Sequence, residues 1–289
     1  MLPLVDWIGH WQQLVDARAA QADRLQPGQT LRAPSHWDGL AARFAENTVR
    51  SSRGGDELLD LLRARVAPEH TLLDVGAGAG RYAVNLAPHV RRVIAVEPSA
   101  GMRAQLARQV AERGLDNVQI VASSWEEADV EQADVVLAVN VLYWTRNIAP
   151  FLQKLRQHAR ERCLLVLRAT QSLASFEPLW EEAHGEPRAP MPAFIDLYNV
   201  LFAMGAKPDA TLLPTAHHHW KLLDEAVDRV AGDLSLQEPK VARARVRDFV
   251  ESQVHLREGE WLEREPTWIG LADVPSRPDS AGQTRDESR

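Results

Sequence analysis

Two carboxylates bracket a run of alternating glycines, and together they describe a seat for a charged ligand. Asp74 lies near the end of the apolar stretch Thr71-Leu72-Leu73-Asp74-Val75, and Gly76, Gly78 and Gly80 follow with Ala77 and Ala79 between them. Glu97 ends a second apolar stretch, Arg92-Val93-Ile94-Ala95-Val96, and Pro98 comes next. A strand that turns tightly into a helix needs residues without a Cβ where a ligand approaches the backbone. The pyrophosphate-binding fingerprint G-x-G-x-x-G would place its third glycine at position 81; this chain has Arg81 there. A carboxylate at the end of a buried strand is costly unless something pairs with it. Asp74 would repel a pyrophosphate and attract a cationic ligand carrying an ammonium and a sulfonium. Glu97 stands where a carboxylate can accept both hydroxyls of a ribose, which favours an unphosphorylated sugar.

The run from Leu72 to Gly80, with Val96-Glu97-Pro98-Ser99 and Met102 after it, resembles the class I S-adenosylmethionine-dependent methyltransferases. The resemblance covers roughly residues 35–170, and the last strands more loosely. It implies S-adenosylmethionine as cofactor and S-adenosylhomocysteine as product. It implies that Gly76, Ala77, Gly78 and Gly80 hold the methionine and sugar parts beside Asp74, and that Glu97 binds the ribose with Pro98 and Met102 nearby. Ser123, Ser124 and Trp125, after the third strand, would border the adenine, where the family commonly has an acid. Asn140, ending the fourth strand, would lie beside the transferred methyl group. Asn140-Val141-Leu142-Tyr143 lacks the two prolines of the enzymes that methylate amide or adenine nitrogens. Cys163 follows Arg162, not the proline of the cytosine-C5 enzymes. The activity implied is direct in-line methyl transfer to an O, N or C nucleophile of a small molecule. A non-catalytic S-adenosylmethionine-binding regulatory or interaction protein is the alternative; it would lack a closed acceptor pocket. A nicotinamide dehydrogenase is opposed by Asp74 and by Arg81.

The acceptor side is read from the same strand end and from two flanking helical segments. Tyr143 and Trp144 can shape an acceptor pocket. Trp37 and Phe44 share one side of a helical stretch over 35–49 and would line a lid. His184 and Arg188 belong to the polar cluster His184-Gly185-Glu186-Pro187-Arg188, where Arg188 could hold an anionic substrate. Tyr143 and His184 are the candidates for a catalytic base, and His10 and His36 lie on N-terminal helices that could reach the pocket. On a strand, His217 and His219 would share a face and His218 the other. No Cys, Asp or Glu pattern accompanies them, so no metal site is expected.

The elements that must position these residues alternate. Apolar strands are expected near 71–75, 92–96, 118–122, 134–140 and 163–169, with helices near 80–88, 99–113 and 148–160 between them. Val135-Val136-Leu137-Ala138-Val139 is apolar without alternation, as in a parallel strand buried on both faces. Strand–helix alternation with right-handed crossovers gives an α/β, doubly wound sheet with helices on both faces. Further strands at 211–221 and 267–271 make it a mostly parallel, seven-stranded one. Residues 1–50 read as an N-terminal helical lid, with apolar Leu4, Ile8, Trp11 and Val15 at helical steps. The cofactor-binding core spans 51–170, and the proline-rich 171–210 reads as a helical cap inserted after the fifth strand. Residues 211–273 should complete the sheet, with helices near 223–232 and 238–256, and 274–289 read as a disordered tail.

Composition bounds the partners. The chain has 289 residues, 45% hydrophobic and 25% charged, enough for a sizeable core without a metal or disulfide. A single cysteine, Cys163, forbids an internal disulfide and fits a reducing compartment. The net charge of −7, with no basic stripe interleaved with aromatics, argues against a nucleic-acid surface. Met1-Leu2-Pro3-Leu4-Val5-Asp6 is a poor signal peptide, and no run of about 18 apolar residues can span a membrane. A cytoplasmic monomer or homodimer acting on a small-molecule acceptor is the expectation.

Overall fold

The computed structural model describes residues 5–25, 34–42, 44–45, 56–169, 177–214, 219–234, 243–263 and 267–276. The first half alternates as expected: α1 (Trp7–Leu25), α2 (Pro34–Asp38), α3 (Glu57–Arg63), β1 (Thr71–Val75), α4 (Arg81–Leu86), β2 (Arg92–Val96), α5 (Ala100–Glu112), β3 (Val118–Val121), β4 (Ala133–Val139), α6 (Ile148–His158) and β5 (Ala159–Arg168). The second half holds α7 (Glu177–His184), α8 (Phe194–Ala203), β6 (Asp209–Pro214), β7 (His219–Trp220), α9 (Leu223–Asp233), α10 (Arg243–Gln253), β8 (Val254–Arg257), β9 (Glu260–Glu263) and β10 (Trp268–Pro275).

Seven strands form one sheet in the order β3-β2-β1-β4-β5-β10-β6. β10 runs antiparallel to both neighbours, β5 and β6, and the other pairs are parallel. The all-apolar strands are covered on both faces. Along β1, Leu73 and Val75 point into a core built with Trp11 and Val15 of α1, Ile148 and Leu152 of α6 and Leu197 and Val200 of α8. Leu72 points the other way, onto Leu58, Leu59 and Leu62 of α3, Ala83 and Val84 of α4 and Leu106 of α5. Asp74 shares that second face by the two-residue period of the strand. Strand order reverses between β1 and β4, and ligands of open α/β sheets enter the crevice outside the carboxyl ends at such a point.

The second half departs from expectation in three ways. First, the cap expected over 171–210 splits. α8 lies on the main sheet, where Phe194 fills the space that a Cβ on Gly270 would need. α7 instead packs with α9 and α10 around Leu179, Trp180, Val227, Val230, Val246 and Val250. Second, residues 219–263 do not complete the sheet. They carry a separate three-stranded sheet, β7-β9-β8, that joins α7 in the cap. Its hairpin turns at Glu258 and Gly259, with φ of 53° and 82° and Arg257 paired to Glu260, the two-residue turn whose twist matches antiparallel strands. The cap therefore leaves the sheet after β6 and returns at β10, where Trp268 pairs with Pro214. Third, β10 continues to Pro275, into the stretch expected to be tail, because Val274 and Pro275 still pair with Cys163 and Arg162 of β5. Residues 277–289 and His217 and His218 lie outside the described residues.

α1 is bound into the core rather than laid over it. Trp11 is fully buried, and its indole N–H donates to the Thr145 carbonyl at 2.8 Å. At the far end of α1, Gln21 and Arg24 bond to Glu186, and Gln21 also to Pro187 and Ala189, fixing the helix to the end of α7. The lid expected over 1–50 is thus, in its first helix, a structural strut. Replacing Trp11 by alanine should cost about 3–5 kcal/mol of stability through the cavity left behind. Urea unfolding is the measurement, and a midpoint within error of wild type would show that α1 does not hold the core together.

Candidate cofactor and active site

The two acids and the glycine turn converge at the carboxyl ends of β1 and β2. Gly76 has φ of 71°, and a Cβ there would collide with Val141 at 2.2 Å. Gly78 has φ of 56°, and a Cβ would meet nothing within 4 Å. The first glycine therefore lets the turn after β1 touch the turn after β4, while the second presents bare backbone to open space. Ala77 lies between them, and Gly80 is the N-cap of α4.

Glu97 welds this turn to the next strand. One carboxylate oxygen accepts the Gly78 N–H and the other the Ser99 N–H, each at 2.8 Å. The group is 6% exposed, and burial raises its pKa against the pull of those two N–H donors. Each carboxylate oxygen keeps a further lone pair for a ligand hydroxyl. Pro98 follows, its carbonyl and that of Glu97 taking hydrogen bonds from Arg103. Ser99 is fully buried and caps α5, accepting from the Met102 N–H at 3.1 Å.

Asp74 is 2% exposed, and its Oδ2 has no hydrogen-bond partner. Burial pushes its pKa up to about 7, against the pull of the Ala83 N–H and with the Glu97 carboxylate adding to the rise. Arg81 does not neutralise it. That guanidinium bonds to Asp56, the N-cap of α3, at 2.7 and 3.2 Å.

The sequence reading missed how the N-terminal segment closes on this site. Asp38, at the end of α2, accepts from the Ser99 hydroxyl at 2.6 Å and from the Gly101 N–H at 2.8 Å. These bonds hold its carboxyl below the usual range, the Ser99 bond contributing most. A Cβ on Gly101 would sit 2.9 Å from the Asp38 backbone. The latch lays Trp37 and Phe44, edge to face at 6.1 Å, against Ala79 of the glycine turn and Met102. These two aromatics thus pack beside the candidate cofactor site. Half-buried His36 sits against Trp37, its pKa lowered by burial. Nothing local in Ser-His-Trp-Asp announces a contact 61 residues away.

At the end of β3, Ser123 and Ser124 are half-buried beside the turn, and Ser124 Oγ accepts the Glu127 N–H. Trp125 is a correction. Its ring is 3% exposed and lies in the core against Phe151 and His158, with the Lys154 ammonium 4.8 Å from its centre. It has no face to offer an adenine. Lys154 also donates to the carbonyls of Trp125, Glu126 and Ala128, so the turn is braced from beneath.

The end of β4 carries a different device. Asn140 has φ of 57°, a left-handed conformation that asparagine accepts more readily than most residues with a side chain. Tyr143 explains how it is held. Its hydroxyl accepts the Arg168 N–H of β5 at 3.1 Å and donates to Asn140 Oδ1 at 2.8 Å. Burial raises the phenol's pKa. Tyr143 is therefore committed as a neutral brace and is not free to act as a base, a second correction. Trp144 is half-buried in the same turn.

The cap residues serve its own architecture. The His184 ring nitrogen Nε2 donates to the Leu234 carbonyl at 2.7 Å, and the ring packs on Trp180 at 4.2 Å, which ties His184 into the cap. Arg188 lies over the same tryptophan at 4.7 Å. His10 Nε2 is 3.3 Å from Asp196 Oδ1, across α1 and α8. Among the described residues no cluster of three His, Cys, Asp or Glu could hold a metal. A cavity of about 540 Å³ opens at the opposite, amino end of the sheet. There Arg92 and Arg160 pair with Glu131 and Asp134, and Arg91 donates to the Thr71 hydroxyl.

A glycine turn, a carboxylate on the next strand and a crevice at the switch point define a Rossmann-like protein of the nucleoside-cofactor class. A family model described as a methyltransferase domain matches residues 73–165. An uncharacterized protein of Haemophilus influenzae is 32% identical over 185 residues, covering 63% of this chain and 67% of that protein. The solved YcgJ protein of Bacillus subtilis shares the fold with a TM-score of 0.53 at 17% identity, covering 76% of this chain and 98% of its own. Magnesium protoporphyrin IX methyltransferase from Synechocystis PCC 6803, with bound S-adenosylhomocysteine, superposes at 0.51 and 13% identity over 93% of this chain and 99% of its own. A methyltransferase domain thus spans residues 73–165, within a Rossmann-like fold of the class I S-adenosylmethionine-dependent type, and S-adenosylmethionine is the cofactor of that family. The residues fit that group: the orphaned Asp74 oxygen suits a cation, and the open face of Gly78 gives it room. Among the described residues no helix is long and apolar enough to cross a membrane.

Two outcomes follow from this geometry. Glu97→Ala should weaken S-adenosylhomocysteine binding by about 1–3 kcal/mol, through lost ribose bonds and a freed Gly78; calorimetry showing unchanged affinity would remove Glu97 from the site. Asp74 holds its proton more tightly folded than unfolded. Its ionisation therefore costs the cofactor-free protein nothing below pH 4, increasingly more between pH 4 and 7, and a constant amount above. Asp74→Asn should accordingly be the more stable protein at pH 8, by up to roughly 4 kcal/mol, with the gain shrinking as pH falls toward 4. Thermal melts across that range measure it.

Proposed function

We propose that this protein transfers the methyl group of S-adenosylmethionine to a small-molecule acceptor. The cofactor supplies an electrophilic methyl on a sulfonium. The chain's residues do the rest. Glu97 takes the ribose hydroxyls, Gly76, Ala77, Gly78 and Gly80 give backbone approach, and Asp74 answers the ammonium. Pro98, Met102, Ser123 and Ser124 line the nucleoside side. Trp37 and Phe44, pinned by Asp38, shield it from water. The acceptor enters over Asn140, Tyr143 and Trp144, with the cap and Arg188 behind it.

The observation that carries the small-molecule reading is where the cap grows. It leaves the sheet after β6 and re-enters at β10, both at the carboxyl edge, and α7 follows the carboxyl end of β5. With the α2 latch on the other side, the crevice is roofed from two directions. A net charge of −7 adds nothing to attract a nucleic acid. The phenol of Tyr143 and the imidazole of His184 are both engaged. Catalysis then rests on alignment and exclusion of water, which suits an acceptor that arrives with its lone pair available.

Labelled methyl transfer into fractionated cell extract tests the reading. Label should appear in the small-molecule fraction, and label confined to RNA or protein would sink it. Tyr143→Phe, which frees Asn140 but touches no cofactor residue, should leave S-adenosylhomocysteine affinity within about twofold and lower the transfer rate at least about tenfold. Equal loss of both would place Tyr143 in the cofactor site instead.

A further inference from the structure

Asp74 and Glu97 flank one glycine turn, yet the chain compensates them unequally. Glu97 receives two backbone N–H bonds at 2.8 Å. Asp74 sits deeper, at 2% exposure, with Oδ2 bonded to nothing. Among the described residues, the groups that face it are the Ala83 N–H and the buried Tyr82 phenol from α4 and the Glu97 carboxylate after β2, with no cation. The nearest candidate in sequence, Arg81, is turned to Asp56. Ionised in the free protein, Asp74 would be a buried negative charge beside a second one, the least favourable arrangement for a carboxylate. Protonated, it leaves the site with one net charge and waits.

We propose that Asp74 is the cofactor's proton-exchanging partner: it is carried as a neutral acid in the free protein and surrenders its proton when the ammonium of the methionine moiety enters. The inference rests on the S-adenosylmethionine site described above. In the step, the Asp74 O–H bond breaks, the proton passes to solvent, and the carboxylate is left paired with the arriving ammonium. The direction of the burial effect on Asp74 agrees with this state assignment. Two consequences distinguish it from simple charge attraction. Affinity for any ligand with that ammonium rises with pH through the neutral range. A nucleoside thioether without the amino-acid part gains nothing. Asp74 thereby favours the complete cofactor over its nucleoside fragments, and does so increasingly as pH rises.

Calorimetric titration with S-adenosylhomocysteine at pH 6, repeated in two buffers of different ionisation enthalpy, counts the protons released. Close to one should leave per ligand bound, and affinity should rise roughly eightfold between pH 6.0 and 7.5. Above that range the ligand's own ammonium begins to titrate. 5′-Methylthioadenosine, which lacks the amino-acid part, should bind with no Asp74-dependent proton release and no such slope. Asp74→Asn should remove both for S-adenosylhomocysteine, which also subtracts any contribution from His36. Should that variant not fold, the comparison of the two ligands on wild-type protein carries the test alone. Tight binding of S-adenosylhomocysteine with no proton released, or equal release with both ligands, overturns the proposal and leaves the cofactor site standing. Absence of S-adenosylhomocysteine binding would overturn the cofactor site itself.

Discussion

The Glu97 carboxylate is the junction on which the site depends. Its two oxygens hold the Gly78 N–H on one side and the Ser99 N–H on the other, so the turn after β1 and the start of α5 cannot move apart. Ser99 passes the constraint outward through its hydroxyl to Asp38, and Asp38 brings the α2 segment with it. A single buried acid thus ties the floor of the pocket to its covering aromatics. Such networks are strong when every member is satisfied, and beside this one Asp74 keeps an unsatisfied oxygen. The stress is concentrated where a ligand can relieve it.

The sheet makes this arrangement affordable. Six parallel strands and one antiparallel strand are buried on both faces by α1, α6 and α8 and by α3, α4 and α5. Cys163 is sealed inside, its thiol pushed up to about 12 by burial, which makes it inert packing. With the frame rigid, the left-handed Asn140 and the three left-handed glycines can be held in place. The Tyr143 phenol shows how: one hydroxyl reads the backbone of β5 and fixes a side chain on β4, so the distance between two strand ends sets the aim of an amide.

Much of this was legible in the chain. Strands β1 and β2 fall where the apolar runs placed them, and Asp74, Gly76, Gly78, Gly80 and Glu97 converge, because their roles depend on neighbours within a few residues. What was not legible depends on distant partners. Trp125 looks the same in sequence whether it walls an adenine or, as here, fills the core against Phe151. His184 reads as a loop residue near an acceptor, and only the fold shows Leu234 and Trp180 tying it into the cap. Residues 192–204 read as a cap because prolines surround them, but Gly270 leaves room for Phe194 and draws that helix onto the sheet. The β8–β9 hairpin escaped because its strands are four residues each and charged, although Glu258-Gly259 carried a usable turn signal.

One topological detail bears on how the molecule comes into being. β10 lies between β5 and β6, and it follows every other strand of the described residues. Until Trp268–Pro275 has been synthesised, β6 has no partner and β5 has an open edge, while the intervening cap can already collapse on its own apolar cluster. A ribosome that stalls before Trp268 would release a chain with two unpaired edges, the kind of surface that invites aggregation or quality control. The sheet closes like a clasp whose pin follows both of the edges it joins.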